Sequence, residues 1–516
     1  MKQLRHARQE LNLGLTQVIG TTTSGGSGLD GRGRSFAYTA GAAAVVATVD
    51  EANHISQRFY RARPNTLPLN PINSVYGLLT PNSANESRNR TAASLQAAGV
   101  GSPATLLPPP DWTDSPLGKS WSAKDRVKAA TCVSLSRDGK YLAVGETGYK
   151  PRVLIFSMGK EGSSDIPLTC IADHTFGVRC VAFSPDSQYL ATLGCSNDGF
   201  LFIWSINPKT GSATLFASNK CTSTINQIAW IGRSLITVGT RHVKLWRIDE
   251  PEPSPTKSRF NDSIALTLNS HGTLPGRNCL LGPLLDSTFV AVVAITPEKA
   301  VVCSDKGDIC LLDNCEGDQR FYKVDHAGFS ITALAVDSKQ RLLISGTQGR
   351  FLYLSVNSLI AARACPPSPC PSVASSVETN NPNDGNLLAM ASLDDRLVVV
   401  DSRHSIRLHS LDFAGLEQPL GQPLEQLPAH GDAVLGAQSM AEEHNGAAFF
   451  TWSSSGTVLF WSHDGAFTRS LTIQLDQVDK TEDTLPNELK VVRAACKSKL
   501  LVSGDRYGVL RYEAPV

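Results

Sequence analysis

The stretch DHTFGVRCVAFSPDSQYLATLGCSNDGFLFIW, residues 173–204, decides how the rest of the chain is read. A loop holding His174 leads into an apolar run, Val178 to Phe183, and the turn Ser184-Pro185-Asp186-Ser187. A run of small residues from Tyr189 to Gly194 follows, then a second turn, Asn197-Asp198-Gly199, and finally Leu201-Phe202-Ile203-Trp204. Short apolar runs punctuated by Pro, Asp, Asn and Gly are strands joined by tight turns, so these residues predict three antiparallel strands in about thirty positions.

Weaker copies of this pattern end at Phe156, Trp246, Leu312, Leu354, His409, Trp461 and Tyr512, with successive ends 42 to 66 residues apart. A period of about 40 to 50 residues is that of propeller blades. The longer spacings have visible causes in the Pro- and Ser-rich connections Glu250 to Lys257 and Ala364 to Asn386. An earlier unit, Leu13 to Asp50, contains an apolar run from Phe36 to Val49 that reads as a strand, and it brings the total to nine. Rings close with about four to eight blades. The expectation is therefore an all-β chain: a seven-bladed WD40 β-propeller at 11–412, followed at 424–516 by the opening blades of a second, incomplete propeller. Residues 62–120, rich in Pro, Asn, Ser and Ala, break the pattern and predict a disordered insertion. The chain stops at Val516 directly after a strand, so the exposed blade face predicts either a fragment or completion by a partner.

In a WD-type blade a loop His, a strand Ser or Thr, a turn Asp and the final Trp form a buried hydrogen-bond chain, each member supplying a donor or acceptor that the next needs. His174, Thr192, Asp198 and Trp204 stand in those places. The same residue types make a hydrolase triad, but here their spacing follows the blade and the indole caps the hydroxyl that a nucleophile must leave free. The structural role is therefore expected, with no catalytic residue. Other copies are degenerate. His326 and His430 occupy the loop position, whereas Thr240, Gln348 and Ser455 replace the Asp, and Leu312, Leu354 and His409 replace the Trp. Most blades are thus expected to hold by packing alone.

Composition excludes several function classes. Lys and Arg total 48 against 47 Asp and Glu, a net charge of +1, so no overall field draws in nucleic acid or an anionic membrane. The longest apolar stretches, Gly41 to Val49 and Phe289 to Ile295, fall short of the roughly 20 residues that cross a bilayer. No signal-peptide pattern opens the chain. The 12 cysteines are unevenly spaced, and Cys132, Cys180, Cys303 and Cys310 sit in apolar runs, which fits a reducing cytoplasm or nucleus.

Gly26-Ser27-Gly28-Leu29-Asp30-Gly31 matches the spacing of a dinucleotide loop, but a strand pattern rather than a helix follows, so it reads as a flexible hairpin loop. Cys365 and Cys370 have tolerable zinc spacing without a second ligand pair, and His404 and His409, an odd number apart, point to opposite faces of a strand. No cofactor or metal is expected. Ser115, Ser254 and Ser368, each followed by Pro in a predicted linker, are candidate phosphorylation sites.

Beyond the blade pattern, several stretches resemble the mitogen-activated-protein-kinase-binding and microcephaly-associated spindle-pole WD-repeat family. They are Leu13-Gly14-Leu15-Thr16 with Phe36-Ala37-Tyr38-Thr39-Ala40-Gly41, Gly145-Glu146-Thr147-Gly148-Tyr149-Lys150-Pro151, and Asp173-His174-Thr175-Phe176-Gly177-Val178 leading into Val181-Ala182-Phe183-Ser184-Pro185. Gly239-Thr240-Arg241-His242-Val243-Lys244-Leu245-Trp246, Arg403-His404-Ser405-Ile406-Arg407-Leu408 and Ser503-Gly504-Asp505-Arg506-Tyr507-Gly508 continue the match in the same order. The resemblance implies a scaffold with two consecutive propellers, partners among kinase-pathway or spindle-pole proteins, and a cytoplasmic, spindle-pole, cytoskeletal or nuclear location. In that family the kinase-docking and self-association segments lie beyond the propellers, a region this chain does not reach. The function expected is a non-catalytic protein-interaction scaffold in stress-kinase signalling or spindle organisation. The alternatives are a WD40 subunit of an RNA-processing or chromatin complex and a hydrolase or nucleotide-binding enzyme using the Gly-rich loop.

Overall fold

The structure, a computed structural model, describes residues 17–62, 127–248, 272–315, 318–361, 385–411, 420, 422–444, 446–476, 485–495 and 500–513. Their strands form nine sheets, or blades, at residues 29–60, 130–171, 178–220, 225–247, 289–326, 331–355, 387–427, 434–472 and 489–513, numbered here 1 to 9. Within each blade consecutive strands lie side by side and antiparallel, so every blade is a simple meander. Two short segments after the third and fourth blades add to them. Gly272–Thr273 pairs in parallel with Ala213–Lys220 of blade 3, and Gly276–Asn278 completes blade 4.

Burial explains the near-continuous apolar runs. Tyr141–Glu146, Asp308–Asp313 and Arg396–Asp401 are buried at every residue because another sheet covers each face. Outer strands such as Arg320–His326 and Phe467–Thr472 are half solvated and carry polar residues.

The cores lie between blades rather than within them. One apolar cluster joins blades 1 and 2 and others join each successive pair up to blades 6 and 7. A further cluster, with Phe36, Tyr38 and Val45 on one side and Val398, Val400 and Leu408 on the other, joins blade 7 back to blade 1. Seven blades therefore close into a ring. Blades 8 and 9 share a separate core around Phe450, Phe460 and Val492.

Directional bonds set the register between neighbours. The Leu135 amide donates to Asp30 at 2.8 Å, the Thr131 hydroxyl to the Val178 carbonyl at 2.6 Å, and the Val292 amide to Gln227 at 2.9 Å. At the closure the Asp394 amide donates to the Gly33 carbonyl at 3.2 Å.

Two sequence expectations are corrected. Phe36 to Val49 is not one strand but two, Ser35–Ala40 and Ala43–Val49, reversed at Gly41, whose φ of 60° suits glycine. The Gly-rich segment is not a flexible hairpin loop either. Gly26–Gly28 forms a tight 3-10 turn leading directly into the innermost strand of blade 1, Leu29–Arg32. A Cβ on Gly26 would lie 3.0 Å from Gln227 of blade 4, so the turn reaches across the ring from blade 1.

Gly31 shows how tight the closure is, since a Cβ there would sit 3.0 Å from the Ala391 Cβ and 3.1 Å from the Ser392 carbonyl. Gly31→Val should destabilise the closed ring by about 1–3 kcal/mol, as overpacking does. Gly25→Ala, at a position with nothing within 4 Å of the added atom, is the control. Thermal unfolding of both checks this, and a wild-type melting temperature for Gly31→Val would contradict it.

Candidate functional site

The polar side chains singled out in the repeat converge inside blade 3. Thr192 comes from the strand Tyr189–Gly194 and Trp204 from Phe200–Ile206, while His174 and Asp198 come from the loops at the same end of the blade. The Trp204 indole donates to Thr192 Oγ1 at 3.1 Å, Thr192 Oγ1 lies 3.0 Å from His174 Nε2, and His174 Nδ1 lies 2.6 Å from Asp198 Oδ2. Asp198 Oδ1 also accepts the Thr175 amide at 3.0 Å. A carboxylate can only accept, so His174 carries its proton on Nδ1 and Nε2 accepts from Thr192. Burial pushes the Asp198 carboxyl up, but the hydrogen bonds from His174 and Thr175 outweigh it and hold the group below its ordinary value. All four side chains are buried, and the Thr192 hydroxyl has both its proton and a lone pair committed.

Two further blades repeat the chain with different suppliers. In blade 4, Trp246 donates to Thr237 Oγ1 at 3.0 Å and His242 Nε2 lies 2.8 Å from the same oxygen. His242 begins the third strand rather than sitting in the loop before the first, so it replaces the loop His from the opposite side of the turn. In blade 8, Trp461 donates to Thr451 at 2.9 Å and His430 Nε2 lies 2.8 Å from it. Ser455, in the Asp position, donates to Asp432 at 3.2 Å, so the carboxylate has moved into the loop after His430.

The expectation that most blades hold by packing alone is corrected by a second device. In blades 2, 7 and 9 an acid at the end of the second strand pairs with an Arg six residues later, across the turn. Arg152 grips Glu146 with two contacts at 2.6 and 2.9 Å, Arg407 meets Asp401 at 2.6 Å and Arg511 meets Asp505 at 2.8 Å. Burial raises the Asp505 carboxyl, yet the Asn487 and Arg511 contacts bring it down to about 2. In blade 5, Ser304 and Lys323 hold Asp308 at 2.8 and 2.6 Å. These pairs are invisible to a pattern of His and Trp. The recurring signal was an acid, five residues and an Arg at matching points of three repeats.

The remaining candidates separate. His326 is exposed, and its Nδ1 accepts the Gly328 amide at 3.0 Å. His404 lies in a turn at φ 60° rather than on the strand Ile406–Ser410 that holds His409. No His, Cys, Asp and Glu group suited to a metal occurs among the described residues. Ser115, Ser254, Ser368, Cys365 and Cys370, with all but the first residue of the 62–120 insertion, lie outside the described residues.

Asp198→Ala leaves the His174 and Thr175 donors unsatisfied and should cost about 1–3 kcal/mol, read as a lower melting temperature. His242 supplies a pH dependence. Burial, with Lys244 nearby, lowers its pKa from 6.5 to about 4. The folded state therefore stays neutral where the unfolded chain takes up a proton, so this stability is fully present above about pH 6.5 and lost as pH falls towards 4. His242→Gln, which cannot titrate, should flatten that part of the melting-temperature profile. An unchanged slope between those pH values would contradict the assignment.

Comparison with known proteins places this geometry. Residues 166–205 match the family model described as WD domain, G-beta repeat. The mouse cilia- and flagella-associated protein 52 is 24% identical over 157 residues, covering 27% of this chain and 23% of that protein. The mouse mitogen-activated protein kinase-binding protein 1 is 30% identical over 177 residues, 34% of this chain and 10% of that protein, a counterpart of the resemblance noted above. The mouse WD repeat-containing protein 90 is 28% identical over 121 residues, 22% of this chain and 6% of that protein. The chain thus spans about a quarter of these relatives' length or less. Among solved structures, a chain of the structure described as that of the mitotic checkpoint complex aligns with a TM-score of 0.44 at 13% identity, covering 80% of this chain and all of that one. The chain carries a WD40 repeat within a β-propeller, and WD-repeat proteins are among its relatives.

Proposed function

We propose that this chain is a non-catalytic scaffold whose propeller face binds partner proteins. The observation that carries this reading is that the reactive-looking side chains are spent inside the blades. His174, Thr192 and Asp198 are consumed by one another and by Trp204, which leaves loops held rigidly at the blade ends and no free nucleophile in that set. Rigid loops on a fixed frame favour recognition, because little conformational freedom is lost on binding.

The partners are proteins of a stress-kinase pathway or of microtubule-based structures, the spindle included, with the chain in the cytoplasm beside the cytoskeleton. The names of the relatives, a mitogen-activated protein kinase-binding protein and cilia- and flagella-associated proteins, support this choice. Affinity purification of the tagged full chain with mass spectrometry, together with imaging through mitosis, tests it. Kinase-pathway, spindle or ciliary proteins should be recovered. Recovery of RNA or histones instead would favour a subunit of an RNA-processing or chromatin complex and overturn the proposal.

A further inference from the structure

Blades 2 and 3 carry an exposed pair of aromatic rings that their cores do not use. Tyr149, in the turn between the second and third strands of blade 2, is 63% exposed, and Phe176, in the loop entering blade 3, is 43% exposed. Their ring centroids are 5.9 Å apart. Large apolar side chains held in water on adjoining loops lose free energy unless something covers them.

These rings are held in place. Tyr149 and Phe176 form an antiparallel backbone bridge, flanked by the Lys150 amide donating to the Thr175 carbonyl and the Gly177 amide to the Gly148 carbonyl, both at 2.8 Å. Gly148 and Gly177 adopt φ of 87° and 41°, and a Cβ on Gly177 would lie 2.8 Å from the Cys195 sulfur. Each loop is also anchored by its blade's polar device. The Glu146–Arg152 pair spans the Tyr149 turn, while His174 and the Thr175 amide tie the Phe176 loop to Asp198.

Positive charge predominates on these loops. Lys150 is exposed with its ammonium 5.7 Å from the Tyr149 ring centre, Arg179 is exposed, and Lys128 is partly exposed while donating to the Tyr149 and Lys150 carbonyls. Of the carboxylates here, Glu146 and Asp198 are buried and already bonded, and Asp173 is partly exposed.

We propose that Tyr149, Phe176 and the cations Lys150 and Arg179 form a docking site for an acidic segment of a partner protein that inserts an apolar side chain against the two rings. Preorganised aromatic anchors beside complementary charge are the features that concentrate binding energy at interfaces. The proposal rests on the scaffold reading and names its surface.

The test uses the full chain and a fluorescein-labelled peptide of glutamates around a central Trp-Leu pair, followed by fluorescence anisotropy. Controls replace the glutamates by lysines or the Trp-Leu pair by alanines. The acidic aromatic peptide should bind, and bind less well as salt rises. Tyr149→Ser, Phe176→Ser and Lys150→Glu should each weaken it about tenfold, with melting temperature unchanged because these side chains face water. No binding, equal binding of the lysine peptide or of polyuridylate, or full affinity in the variants would overturn the site. Recovery of the same cellular partners by wild type and by the Tyr149→Ser/Phe176→Ser double variant would sink this surface while leaving the scaffold reading intact.

Discussion

A blade with two apolar faces cannot cover itself. Strands such as Arg396–Asp401 are buried on both sides, and each finds its cover only when another blade stands on either face. This requirement turns a linear repeat into a ring, because the first blade and the seventh are left with matching uncovered faces. Here those faces meet through Phe36, Tyr38 and Val45 against Val398, Val400 and Leu408. Blades 8 and 9 cover each other through a core of their own, which separates them from the closed ring.

With packing supplied from outside each blade, the polar groups inside are free to fix shape. Two solutions coexist. Blades 3, 4 and 8 use Trp, Thr and His on one hydroxyl, and blades 2, 7 and 9 use an acid and an Arg across the same turn. Both tie the loops at one end of the blade to its strands. A buried unsatisfied donor or acceptor costs about 1–3 kcal/mol, so each device selects a single loop geometry. At blades 2 and 3 the two kinds of device stand side by side and hold adjacent loops.

The fold and the blade 3 network were legible in one dimension because both are local. Turn residues, apolar runs and the period of the ends locate the third strands, and the His174, Thr192, Asp198 and Trp204 spacing lies within one repeat. The ion pairs were equally local but carried by residue types that also crowd any surface. Glu146 and Arg152 are distinguished from solvated charges only by the burial that the neighbouring blade imposes.

By itself, then, the sequence determined the inner strands of most blades, their turns and a repeat too long for one ring, since these follow from short-range patterning, while the outer strands and the split of Phe36 to Val49 did not. Tertiary structure alone decided which blade closes on which and that Gly26 lies against Gln227. It also decided that His242 serves from across a turn and that Tyr149 meets Phe176, residues 27 positions apart in the chain. Those outcomes depend on what packs against a face, which no local pattern records.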